Sequence, residues 1–179
     1  YPAYQPFPGA NRLLDWKLRR LLRRADGVLT VSRATADALE RRYPAPELPF
    51  KLHIVWEAAD TLFTPVPQKD DAQRLRALGI DPDPRQPVVL YVGAIREHKD
   101  PLTLLEAYRA LRTEHPELSA RLVLSGKLHP RFERRHRFLS RLRETPGATH
   151  LSNATDQDLA ALYRHAAVAV MPSRVEGFG

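Results

Sequence analysis

Apolar residues return at three- and four-residue intervals through Leu14, Leu18, Leu21, Leu22 and Ala25, while Arg19, Arg20, Arg23 and Arg24 fall largely elsewhere. That is the pattern of an amphipathic helix, with Asn11 as its expected cap. A short β-rich run over 27–31 follows, and Ser32 then predicts the cap of a second helix reaching about Arg42. A proline-rich turn at Pro44, Pro46 and Pro49 leads into a strand over 51–56. From Thr61 to Pro87 the pattern lapses. Pro65, Pro67, Pro82, Pro84 and Pro87 surround one short helical segment near 70–78, which reads as an interdomain linker.

Beyond Pro87 the alternation becomes regular. Strands are expected over 88–92, 121–125, 148–152 and 167–171, and helices over 101–114, 131–144 and 156–165. Short β-formers alternating with helices argue a parallel, doubly wound α/β sheet. The last run, Ala166 to Met171, suits a strand buried on both faces, and Pro172 forces the chain out of the sheet.

Composition narrows the class. With 179 residues, 43% of them apolar, the chain can close one full core or parts of two domains. It starts at Tyr1 and ends inside a motif, so a piece of a longer protein is expected. There is no cysteine, which removes disulfides and thiolate metal sites and leans toward a cytoplasmic setting. No apolar run approaches the roughly 20 residues of a membrane span. The excess of 28 basic over 21 acidic residues, +7, favours anionic partners.

The candidate chemistry lies at strand ends. After the first regular strand come Gly93, Ala94, Ile95, Arg96, Glu97, His98, Lys99, Asp100 and Pro101: a glycine, then basic groups, then an expected cap and first helical position. A helix N-terminus with an adjacent cation suits phosphate, so Lys99 is a candidate anion contact. The solvated basic loop is the alternative, weightier for Arg96 and His98. Ser125, Gly126 and Lys127 repeat the logic after the next strand, and the two lysines could converge on one diphosphate. After the last strand, Glu176 stands before Gly177, Phe178 and Gly179. A carboxylate at the carboxyl end of a parallel sheet, beside glycines that admit close backbone approach, reads as a ligand site, with an ordinary solvated loop as the alternative.

These residues resemble, in order along nearly the whole chain, the retaining nucleotide-sugar glycosyltransferases of family 4, also called glycosyl transferases group 1. The resemblance is carried by Ala25 to Ser32, His53 to Asp60, Val89 to Lys99, Leu104 to Tyr108, Leu122 to Lys127, Asp158 to Ala166, and Pro172-Ser173-x-x-Glu176-Gly177-Phe178-Gly179. It implies a GT-B type fold of two Rossmann-like domains. Residues 1–61 would end the acceptor domain, 62–87 would link, and 88–179 would form a truncated nucleotide-sugar domain.

The implied activity is transfer of a hexosyl group from a nucleotide diphosphate sugar to a glycan or lipid-linked acceptor, with retention and no obligatory metal. The isolated piece is expected to be inactive. By the resemblance, Glu176 and Lys99 are the catalytic pair. Gly93, Arg96, Lys99, Lys127, Asn153, Glu176, Gly177, Phe178 and Gly179 are the donor-binding set, and no cofactor or metal ligand is implied. The chain departs from the family pattern at Ala94, where arginine is common, at Asn153, where glycine is frequent, and at Glu57 to Asp60.

Two other classes compete. A non-catalytic nucleotide-sugar binder could use the same fold. The arginines at 131, 134, 135, 137, 141 and 143 could serve nucleic acid, but with only Phe132 and Phe138 among them a solvated helix face is the simpler reading, so no nucleic-acid partner is expected. Arg19 to Arg24 could likewise meet an anionic membrane at the inner face of the cell, with a solvated face again simpler.

Overall fold

A computed structural model describes residues 10–44 and 51–176 of the chain. It divides into two units, with the boundary between Ala59 and Asp60; the second unit ends at Arg174, and Val175 and Glu176 group with the first. Pro46 and Pro49 of the expected turn, and Gly177, Phe178 and Gly179, lie outside the described residues.

The first unit contains α1 (Ala10–Leu22), β1 (Gly27–Thr30), α2 (Arg33–Arg42) and β2 (Lys51–Ile54). The two strands pair in parallel from Gly27 opposite Lys51 to Thr30 opposite Ile54. Ser32 caps α2 as expected, its hydroxyl accepting from Thr35 N at 3.1 Å. Helix α1 already runs at Ala10, so Asn11 lies inside it and is not its cap. Its apolar stripe is only half used: Leu22 is buried with Tyr43, and Leu18, Val28 and Leu39 pack on them, while Leu14 and Leu21 are exposed.

Polar contacts complete this small cluster. The Tyr43 hydroxyl donates to Asp15 at 2.7 Å, Arg19 and Arg42 reach the same carboxylate at 3.1 and 2.8 Å, and both guanidinium groups stand over the Tyr43 ring at 5.1 and 5.7 Å. The Tyr43 hydrogen bond, helped by the arginines, holds the Asp15 carboxyl below the usual carboxylate range.

The second unit carries α3 (Asp71–Ala77), β3 (Val88–Val92), a 3₁₀ turn (Glu97–Lys99), α4 (Pro101–Glu114), β4 (Arg121–Ser125), α5 (Pro130–His136), α6 (Phe138–Arg143), β5 (Ala148–Leu151), α7 (Asp156–His165) and β6 (Ala166–Ala169). The sheet has the order β5-β4-β3-β6 and every pairing is parallel. Strand alternation sends Tyr91, Leu122 and Leu124 to one core with Leu104, Leu105 and Tyr108 of α4, Phe132 of α5, and Phe138 and Leu142 of α6. Val88, Leu90 and Val123 point to the other core, against Leu75, Ile80, Ala161 and Leu162. Helices thus cover both faces, which is the doubly wound arrangement the pattern predicts. Because β4 lies on one side of β3 and β6 on the other, the strand order reverses at the β3/β6 pair.

Three further expectations change. The stretch 62–87 is a folded part of the second unit: Leu75 and Ile80 are fully buried, and Arg164 of α7 makes a two-bond ion pair with Asp71 of α3 at 2.6 and 2.8 Å. Arg74 adds Asp70 at 2.7 Å and Asp158 at 3.5 Å. Prolines here end and orient elements rather than loosen the chain.

The single helix expected over 131–144 is two helices, broken at Arg137, whose backbone is left-handed (φ 48°). Phe132 and Phe138, six residues apart, would lie on different faces of one straight helix. The break lets both bury, with ring centroids 6.1 Å apart. Finally, β6 is an edge strand and Val168 is 49% exposed, so it is not buried on both faces among the described residues.

Candidate functional site

Since all four strands of the second unit run the same way, their carboxyl ends share one edge, and the loops beginning at Gly93, Gly126, Ser152 and Val170 leave from it. The first two are sewn together. Gly93 N donates to Ser125 O and Ile95 N to Lys127 O, both at 2.9 Å, and His129 N returns to Ile95 O at 3.0 Å. Gly126 N donates to Leu151 O at 2.9 Å. His150 Nε2 donates to Gly126 O at 2.7 Å; a carbonyl only accepts, so this contact fixes the proton on Nε2. Gly126 sits at φ 148°, and a side chain there would run into the Gly93 carbonyl, so only glycine lets these loops touch.

The expected site residues distribute as follows. Gly93 begins the β3 loop and Arg96, exposed, precedes the 3₁₀ turn that Lys99 closes. Lys127 is exposed on the β4 loop, and Asn153 is exposed two residues past β5. The structure brings the Gly93 and Lys127 backbones together through the ladder just described. Glu176 is half-buried and belongs with the first unit. Gly177, Phe178 and Gly179 fall outside the described residues.

Pro101 takes the first helical position of α4 as expected, but Asp100 does not cap it. Its backbone is left-handed (φ 47°, ψ 48°), and its carboxylate accepts from Arg174 Nε at 2.7 Å. Arg174 N also donates to His98 O at 2.8 Å. On the other flank, Glu97 takes Arg135 of α5 at 3.0 Å and His136 at 3.4 Å.

His150, Glu97 with its α5 partners, and the Arg174–Asp100 pair were not marked by the sequence. Their contacts span 24 to 74 residues, and no local pattern encodes them. The hydroxyl of Ser173, beside Arg174, is buried without a hydrogen-bond partner among the described residues. No three His, Asp or Glu side chains among the described residues are grouped to hold a metal ion. No described helix is long and apolar enough to cross a membrane.

A cation beside the N-terminal end of a 14-residue helix, on a turn braced from two sides, is an arrangement that can stabilise a phosphate oxyanion. Comparison with known proteins follows that chemistry. The family model described as glycosyl transferases group 1 matches residues 79–179. D-inositol 3-phosphate glycosyltransferase of Streptomyces bingchenggensis is 34% identical over 162 residues, covering 87% of this chain and 34% of that protein. Alpha-maltose-1-phosphate synthase of Mycolicibacterium smegmatis is 32% identical over 100 residues, 55% of this chain and 25% of that protein.

The chain spans about a third of the length of the curated relatives it matches. Among solved structures, sucrose-phosphate synthase from Thermosynechococcus elongatus superposes on 98% of this chain and 42% of its own, with TM-score 0.73 at 24% identity. Anabaena HepE in complex with UDP and glucose covers 96% and 44%, with TM-score 0.69 at 19% identity. These likenesses are of fold.

Proposed function

The chain belongs to the glycosyl transferases group 1 family and has a GT-B type α/β fold, and from that premise we propose that it is part of an enzyme moving a hexosyl group from a nucleotide diphosphate sugar to a glycan or lipid-linked acceptor, with retained anomeric configuration and no obligatory metal. In the reaction the bond from the anomeric carbon to the diphosphate oxygen breaks, a bond to an acceptor hydroxyl oxygen forms, and the hydroxyl proton passes to the departing diphosphate. Negative charge gathers on the departing diphosphate. Fixed cations aimed at it lower the barrier without taking part in proton transfer.

Lys99 is the principal cation in this reading and Lys127 a second. Gly93, Arg96 and Asn153 line the donor side, and Glu176 meets the donor sugar, with Gly177, Phe178 and Gly179 forming the turn by the phosphates. The observation that carries the reading is the sewn β3 and β4 loops at the carboxyl edge, at the end of the sheet where open α/β folds bind their ligands. The relatives support the donor class: HepE was solved with UDP and glucose.

Calorimetry of the chain with UDP, ADP and GDP, paired with rates of a longer protein containing it, tests the proposal. Lys99→Ala should lower transfer by about 10²-fold, with Lys127→Ala costing less. Glu176→Gln should impair transfer more than nucleoside diphosphate binding, since the free nucleotide lacks the sugar. Wild-type rates and affinities in Lys99→Ala would remove the diphosphate from this loop.

A further inference from the structure

We infer that Arg174 is a positioning residue for Lys99, a role that rests on Lys99 meeting the donor diphosphate. Two contacts of Arg174 fall on the residues either side of Lys99: its backbone N–H donates to the His98 carbonyl at 2.8 Å, and its Nε donates to the Asp100 carboxylate at 2.7 Å. Lys99 is therefore fixed at both neighbours by one residue 75 positions later in the chain.

The surroundings of Asp100 show where its carboxylate is engaged. Its side chain makes no capping bond to α4, and its left-handed backbone, which aspartate adopts more readily than most residues, closes the 3₁₀ turn through its amide to the Glu97 carbonyl. Its carboxylate, 14% exposed, is turned to Arg174.

The topology gives the pair its meaning. Asp100 follows β3 and Arg174 follows β6, the two strands at which the sheet order reverses, so the ion pair ties the loops that flank the crevice of an open α/β sheet. Arg174 also lies two residues before Glu176 along the chain.

Asp100→Asn separates positioning from simple charge because the two predict opposite signs. Asparagine accepts the left-handed backbone as readily as aspartate does, so the fold is kept. Removing a negative charge beside an anion site tightens binding if charge alone acts. Loosening Lys99 weakens it.

Calorimetric titration of the chain and its variants with inorganic pyrophosphate and with UDP, ADP and GDP reads the difference. The expected result is about fivefold weaker binding in Asp100→Asn, the scale a partly exposed ion pair supports. Arg174→Gln should weaken binding as well, and adding Asp100→Asn to it should change nothing further. Tighter or unchanged binding in Asp100→Asn, while Lys99→Ala weakens it, overturns the positioning role and leaves the diphosphate reading standing. No binding by the wild-type chain, or no effect of Lys99→Ala, overturns both.

Discussion

The two units use the same alternation of strand and helix, and among the described residues the second closes much the larger apolar core. In the second, four parallel strands have helices on both faces, and Val88, Leu90, Ile95, Leu122, Val123 and Leu124 are fully buried. In the first, two strands and two helices leave Leu13, Trp16, Leu21, Leu29 and Trp56 exposed, Leu29 by 71%. Beside its small apolar cluster at Leu22 and Tyr43, polar groups gather: Asp15, Arg19 and Arg42 with the Tyr43 ring and hydroxyl. Apolar periodicity thus specifies an element, whereas burial depends on how many layers are present to cover it.

The comparison breaks most sharply at Gly126. Alanine there drives a methyl group into the Gly93 carbonyl, so the loops must part. We expect a loss of about 3 kcal/mol in the second unit and no measurable nucleoside diphosphate affinity. Thermal unfolding followed by circular dichroism checks it. A wild-type melting profile would mean the loops are not held by close backbone contact.

A smaller effect is expected from Asp71→Asn, which leaves Arg164, only 8% exposed, without its charged partner. About 2 kcal/mol should be lost in urea denaturation at neutral pH. The Arg164 hydrogen bond holds the Asp71 carboxyl below its ordinary value of 3.8. Its contribution is therefore complete above that value and vanishes as pH falls through the lowered one. Variant and wild type should converge in strong acid; a gap constant from neutrality to pH 2 would assign the loss to packing.

The smallest effect belongs to the first unit. Asp15→Asn removes a carboxylate with similar partners in a more open setting, and should destabilise less than Asp71→Asn, with the difference fading in high salt. Fluorescence is the natural probe, since both tryptophans, Trp16 and Trp56, lie in this unit. Equal losses at the two aspartates would erase the distinction between the units.

Much of the second unit was legible in the sequence because its elements carry local signals. The expected bounds of β3, α4, β4 and α7 match the observed Val88–Val92, Pro101–Glu114, Arg121–Ser125 and Asp156–His165, with Pro101 starting one helix and a Thr155–Asp158 capping box starting another. The break at Arg137 was hidden because arginine has no left-handed preference; the one clue was Phe138 falling off the Phe132 face. The prolines around α3 concealed Leu75 and Ile80, whose partners lie far along the chain.

Of the candidate site, the glycines and lysines were visible as residue types at strand ends. The ties that hold them, His150 to Gly126, Glu97 to α5 and Arg174 to Asp100, are tertiary pairings with no periodicity to betray them.

The ladder between β3 and β4 does not stop where the strands do. The amides of Gly93, Ile95 and Gly126 donate across to the carbonyls of Ser125, Lys127 and Leu151, so the loops at this edge begin as a continuation of the sheet. A loop of ordinary freedom loses roughly 1–2 kcal/mol of conformational entropy per residue when a ligand orders it. Here that entropy is lost when the chain folds, so a ligand docking on this edge would find these loops already ordered.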